Sequence, residues 1–111
     1  MAGVPRSGRT TGDLKAEILI TVAHEPALTG ADIYREMATE SRARIYRLLR
    51  ILVRDQLLYF TLPNDVEHNY HLGKLGASFL ELRKDSLIHE AERCANAIYQ
   101  YGLNLNEASQ P

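Results

Sequence analysis

A single cysteine, Cys94, is all the thiol chemistry in this chain of 111 residues. No internal disulfide can form and no Cys-rich metal site exists, which suits a reducing compartment. Cys94 lies on an apolar helical stripe and reads as a core thiol rather than a nucleophile. The histidines His24, His68, His71 and His89 lack metal-ligand spacing. His68 and His71 are three apart on a predicted strand, which points them to opposite faces. There is no Gly-rich phosphate loop, no Ser-His-Asp pattern and no pair of catalytic carboxylates. No apolar run approaches the roughly 20 residues that span a bilayer. The opening "MAGVPRSGRTTG" has no apolar segment of the signal-peptide kind. A chain this small also leaves little volume for an internal substrate pocket. These absences predict a cytoplasmic protein with no enzymatic activity, cofactor, metal or membrane association.

An excess of one charge is lacking as well. The net charge is −1 and the pI near 6.4, which argues against a histone-like protein that coats DNA non-specifically. The balance is nevertheless uneven. Residues 1–28 carry three basic and three acidic side chains, residues 29–62 six and four, and residues 63–111 four and seven. Within the middle block, the segment "SRARIYRLLRILVRDQLLYF" (41–60) holds five arginines and no acid before Asp55. The remaining composition, 45% apolar and 24% charged, is that of one ordinary globular domain. Such a small domain has a thin core and often gains stability from a partner subunit.

Residues 1–12 read as a flexible basic arm with Arg6 and Arg9, either a disordered terminus or a DNA-contacting arm. Leu14, Ile18, Leu19 and Val22 predict a first helix over about 13–24. "HEPALTG" breaks it. Thr29, with Asp32 three residues on, predicts a capping box and a second short helix ending near Thr39 or Glu40. Ser41 is a good N-cap for a third helix to about Asp55. At 100° per residue, Ile45, Leu48, Leu49, Leu52 and Val53 fall on one side, and Ala43, Tyr46, Arg47, Arg50 and Arg54 on the other, with Arg42 and Arg44 on the flanks. "LLYFTL" and "VEHNYHL" around a "PND" turn predict a β-hairpin over 57–62 and 66–72. One long helix is then expected from about Lys74 to Tyr101, reaching roughly 40 Å, more than so small a domain covers alone. Gly73 and Gly76 weaken its start. Residues 103–111 read as a frayed tail.

A stretch without interleaved glutamate leaves nothing to repel a phosphate. A merely solvated helix face would gain from Glu–Arg pairs four residues apart. Arg47 and Arg50, on the exposed side, are the candidates for base edges, where arginine bonds guanine through two donors. Arg42 and Arg44, near the helix start, suit bases or phosphates, and Arg54 suits a phosphate. Tyr46 either donates to a phosphate or packs. Thr29 and Ser41 cap helices and also sit where phosphate oxygens can bind. The wing tip "PNDVEH" carries Asp65 and Glu67 and no cation, so it is a poor phosphate contact. It reads as a sheet that covers the core, with Asn64, His68, Asn69 and His71 able to hydrogen-bond.

The order of helix, helix, helix, hairpin and long helix, with "LTGADIYREM", "SRARIYRLLRILVRDQLLYF" and "YHLGKLGASFLEL", resembles the winged helix-turn-helix regulators, most closely the PadR and MarR-like groups. The resemblance covers about residues 14–82. Tyr70, Leu72, Gly76 and Leu80 match the family's Tyr-x-Leu-Thr-x-x-Gly-x-x-x-Leu motif, with Gly73 in place of the threonine. Gln56 stands where the family often has glycine, so that cap must be strained or the helix must end differently. The fold class expected is mainly α with a small β-hairpin (α+β), a winged helix-turn-helix with a long C-terminal dimerisation helix. Its parts are the arm 1–12, a DNA-binding domain 13–73, a dimerisation helix 74–102 and a flexible tail 103–111. The resemblance implies a homodimer, with recognition helices about one DNA turn apart and a seam of Leu87, Ile88, Ala91, Cys94, Ala95, Ile98, and Tyr99 or Tyr101. The same helix could instead pack back onto the first helix, and each half could do one of the two.

Three functions follow. The leading one is a sequence-specific dimeric transcriptional regulator on double-stranded DNA, nucleoid-associated and with room for further protein partners. The second is a DNA-binding adaptor for plasmid or chromosome partition, replication termination or DNA architecture, spreading cooperatively. The third is an interaction module that binds protein only, for which the acidic wing and C-terminal block speak.

Overall fold

The computed structural model describes residues 10–37, 40–63, 67–86 and 91–109. Its elements are α1 (Thr11–His24), β1 (Leu28–Thr29), α2 (Gly30–Glu36), α3 (Arg42–Arg54), β2 (Leu58–Thr61), β3 (Asn69–Leu72), α4 (Lys74–Ser86) and α5 (Ala91–Ser109). A mostly helical body thus carries a small antiparallel sheet of order β1-β3-β2.

Helix α1 begins ahead of Asp13 because Thr10 caps it. The Thr10 hydroxyl accepts from the Asp13 N–H at 3.0 Å, and the Asp13 carboxylate accepts from the Thr10 N–H at 3.3 Å. Leu14, Ala16, Ile18, Leu19, Ile20, Val22 and Ala23 are all buried. Apolar contact on more than one face makes α1 the central helix, packed against α2, α4, α5 and β3.

The chain leaves α1 through Ala27, in the left-handed region at φ 72°, whose N–H donates to Tyr70 O at 2.9 Å. This turn sets Leu28 and Thr29 opposite Tyr70 and Asn69, a two-residue strand too short to leave a pattern in the sequence. Thr29 then caps α2: its hydroxyl accepts from the Asp32 N–H at 3.1 Å, and its own N–H donates to Asp32 at 3.2 Å. The helix stops at Met37, earlier than the expected end near Thr39 or Glu40. Ser41 caps α3 by accepting from the Arg44 N–H at 3.1 Å.

Helix α3 ends in a Schellman closure. The Leu57 N–H donates to Leu52 O at 2.8 Å and the Gln56 N–H to Val53 O at 3.0 Å. Gln56 does take the left-handed conformation, φ 67°, so the helix closes as a glycine-capped one would, with a side chain in its place. The hairpin follows in register, Leu58 opposite Leu72 and Phe60 opposite Tyr70. Residue 66 of the expected second strand and residues 64 and 65 of the expected turn lie outside the described residues.

Gly76 sits where α4 crosses the start of β2. A Cβ there would drive into Leu57 O and the Leu72 side chain, and Leu57 O already accepts from the Gly73 N–H at 3.0 Å. The two glycines therefore let helix and strand approach closely.

The single long helix expected over 74–101 is not what forms. Helices α4 and α5 lie side by side, and α5 also covers α1. The ties fix the directions. Arg83, late in α4, pairs with Asp13 at the start of α1. Arg93, early in α5, donates to Glu17 at 2.8 Å, and Asn104, late in α5, donates to Ala23 O at 2.9 Å. Helix α4 thus runs against α1 and α5 runs with it. The reason is burial: a straight helix would leave its apolar stripe in water, whereas this arrangement closes the core. Helix α5 also continues to Ser109, so the tail expected from residue 103 is largely helical.

Candidate nucleic-acid interface

The core side of α3 is as expected. Ile45, Leu48, Leu49 and Leu52 are buried, and Val53 is half-buried. That anchors the helix and turns Arg42, Arg47, Arg50 and Arg54 to the surface.

The five arginines are not equivalent. Arg47 and Arg50 are exposed and have no carboxylate partner among the described residues. Arg42 is also exposed, its guanidinium stacked 5.1 Å from the centre of the Tyr46 ring. Arg44 donates to Glu40 at 2.9 Å, a pair that is mostly enclosed. Arg54 bonds Asp55 through Nε at 2.9 Å and Nη2 at 3.3 Å. That hydrogen bond raises the Arg54 guanidinium and holds the Asp55 carboxyl low. The expectation of five unopposed cations is therefore corrected to three, since the two acids that bracket the segment each take one. Glu40 lies four residues before Arg44, just outside the N-cap, where a count of acids inside the helix misses it.

Tyr46 is half-buried and packs. A Cβ on Gly30 would come within 2.8 Å of its ring, so the close approach of α2 to α3 depends on glycine there. The ring serves as the platform for Arg42 and as a wall beside Tyr70. Burial pushes the Tyr70 phenol up, nearby Tyr46 adds to this, and Arg50 opposes it. The Thr29 and Ser41 hydroxyls are both engaged as caps, Ser41 in the open and Thr29 half-buried.

The wing contributes an aromatic cluster that sequence reasoning missed. Phe60 and His68 meet edge to face at 4.2 Å, with Tyr70 6.3 Å from Phe60. Together with Leu49, Arg50, Val53 and Arg54 they line a surface hollow of about 420 Å³. An aromatic floor thus adjoins the last two arginines of α3. Pairing of Phe60 with Tyr70 across β2 and β3 was the signal available. On the other face of the sheet His71 stacks on Tyr59 at 5.0 Å, and its Nε2 lies 3.1 Å from Thr61 Oγ1. His68 and His71 therefore do face apart. Glu67 is exposed, while Asn64 and Asp65 lie outside the described residues.

The expected seam residues divide. Cys94 is fully buried in the chain's own core, which corrects its assignment to the seam, and the half-buried Ile98 and Tyr101 pack against that core. Ala91 is half-buried and Ala95 exposed. Leu87, Ile88 and His89 lie outside the described residues, as do Arg6 and Arg9. Tyr99, 69% exposed, and Leu103 stand outward on α5. A mostly apolar cavity of about 300 Å³ lies between the end of α1, the wing and the end of α5, walled by Tyr59, His71, Leu72, Tyr101 and Asn104. Among the described residues, no helix is long and apolar enough to cross a membrane.

No protein-family profile matches the chain, and no curated protein does so either. Solved structures do. A crystal structure of MepR, a transcription regulator of the Staphylococcus aureus multidrug efflux pump MepA, superposes with a TM-score of 0.61 at 18% identity, over 86% of this chain and 76% of that one. The chain has the winged-helix fold. A variant of S. aureus MepR bound to an oligodeoxyribonucleotide gives a TM-score of 0.58 at 21% identity, over 86% of this chain and 75% of that one. Within the winged-helix fold α2 and α3 are the helix-turn-helix, and β2 and β3 the wing.

Proposed function

We propose that the chain is a sequence-specific, dimeric DNA-binding transcriptional regulator that lays α3 in the major groove. The observation that carries this reading is the exposed, unopposed pair Arg47 and Arg50 on the outward side of a helix whose other side is fully anchored. Two forks one turn apart match the spacing at which side chains of one helix reach successive base edges. Arg42 and Arg54 flank them, Arg42 as a phosphate contact and Arg54 as one that Asp55 holds in reserve. Thr29 and Ser41 adjoin the same surface. The fold shared with a regulator, and with a form of it bound to an oligodeoxyribonucleotide, supports the reading. The PadR/MarR-like grouping belongs to the same proposal and is supported by the Tyr70, Leu72, Gly76 and Leu80 motif. So does a non-enzymatic, cytoplasmic role on the nucleoid.

Dimerisation is proposed through the outward face of α5, around Ala91, Ala95, Tyr99 and Leu103. Cys94 takes no part in it. Anisotropy titration against genomic fragments tests the whole reading. A specific fragment should bind, and Arg47→Ala with Arg50→Ala should weaken it by about 2–6 kcal/mol per subunit, at about 1–3 kcal/mol per bidentate contact. Unchanged specific affinity in that double variant would refute the assigned surface.

A further inference from the structure

Glu40 is the buried charged residue among the described residues, 6% exposed. Its Oε1 accepts from Arg44 Nη1 at 2.9 Å, while its Oε2 is enclosed with no hydrogen-bond partner among the described residues. A carboxylate taken out of water with one oxygen unanswered is costly to fold around. Its position in the α2–α3 turn therefore calls for a reason other than stability. Both members of the pair stand on fixed backbone. The Glu40 N–H donates to Met37 O at 2.9 Å, and the Arg44 N–H donates to Ser41 Oγ at 3.1 Å. Arg44 itself remains partly open, its side chain 26% exposed.

A guanidinium held in this way differs from its exposed neighbours Arg47 and Arg50 in two respects. Its rotamer is set before any ligand arrives, so less freedom is lost on binding. Its charge is balanced at close range, so its pull on a phosphate is reduced, while the bond to Glu40 occupies Nη1 and not the Nε–Nη2 edge of the guanidinium. Both differences favour a base edge over the backbone of a duplex.

We infer that Glu40 is a positioning residue for DNA recognition: it holds Arg44, in the first turn of α3, as a charge-balanced reader of one base pair. Discrimination at that base pair then depends on an acid that itself touches no DNA. This rests on the reading of α3 as the DNA-facing helix.

The test begins with selection from a pool of random-sequence duplexes by the full chain. Anisotropy then follows binding to the enriched duplex, to its single-base variants and to a shuffled duplex, between about 50 and 200 mM salt. Glu40→Gln keeps the side chain's shape and removes its charge. It should strengthen binding to the shuffled duplex, steepen the slope of log K against log salt by about 1 per chain, and reduce discrimination at one base pair about tenfold. Glu40→Leu with Arg44→Met replaces both partners by apolar groups, the change that buried pairs tolerate best. It should leave the slope unchanged and lose the same discrimination, with thermal melts showing that it folds. The inference is overturned if that double variant keeps discrimination at every position, or if Glu40→Gln lowers the melting temperature and nothing else. A parent chain that enriches no duplex removes the DNA reading along with it. Enrichment that is indifferent to changes at Glu40 removes this inference alone.

Discussion

Salt is the most direct probe of the arginine surface, because the structure says how many cations are available. Arg42, Arg47 and Arg50 are exposed without a carboxylate partner among the described residues, so a dimer would offer twice that set to a duplex. Each of these cations brought onto the duplex, at a base edge or at a phosphate, displaces condensed counterions and contributes about −0.9 to the slope of log K against log salt, giving a slope of about −5 and a loss of roughly a thousandfold in affinity between about 50 and 200 mM. Arg54 is held in reserve by its neighbour, in a pair open to water. Asp55→Asn removes the competing charge and leaves the backbone closure of α3 in place, since that closure uses the Gln56 and Leu57 N–H groups and not the Asp55 side chain. Freed Arg54 side chains should steepen the slope to about −7. Anisotropy titrations at four or more salt concentrations measure both slopes. A parent slope shallower than about −2, or an Asp55→Asn slope equal to the parent's, would refute the assignment of these side chains to DNA. A shallow slope is also what an apolar docking site for a protein would give.

Gly76→Ala places a methyl group against Leu57 O and Leu72. An overpacking cost of about 1–3 kcal/mol should outweigh the helix-propensity gain of about 1 kcal/mol. Gly102→Ala meets open space and should stabilise by up to about 1 kcal/mol, so urea melts should move the two variants in opposite directions. Burial holds the His71 imidazole below its ordinary value. The unfolded chain therefore binds the proton more readily, and the stability that neutral His71 contributes is present above about pH 6.5 and lost as pH falls from there towards the folded value. His71→Gln should flatten that part of the stability profile. Cys94, fully buried, should react with a thiol reagent about a thousandfold more slowly in the folded chain than in urea, because labelling waits for opening of α5. Rapid labelling of the folded chain would mean that α5 does not lie on α1.

What could be read from the sequence follows the range of the interactions involved. Thr29 with Asp32, and Ser41 with the Arg44 N–H, act across three residues, so the caps of α2 and α3 are visible in the string itself. The buried side of α3 is equally visible, because Ile45, Leu48, Leu49 and Leu52 repeat with the helix period. The left-handed Gln56 was recognisable as a departure that the backbone had to accommodate, and the Schellman closure is how it does so. The reversal between α4 and α5 was not visible. An apolar stripe through Cys94, Ile98 and Tyr101 has the same spacing whether it meets a second subunit or α1 of its own chain. The choice rests on burial against α1, and the contacts that accompany it, Arg83 with Asp13 and Arg93 with Glu17, lie 70 and 76 residues apart in the chain. The arginine surface stands between these cases. The helix and its outward side were legible, but which guanidiniums are free depends on acids at the edges of the segment. Asp55 was in view, whereas Glu40 lies on a turn before the helix and is buried by contacts that no periodicity records. A count of arginines therefore overstates the available charge, and the functional question becomes which of them the fold leaves unopposed.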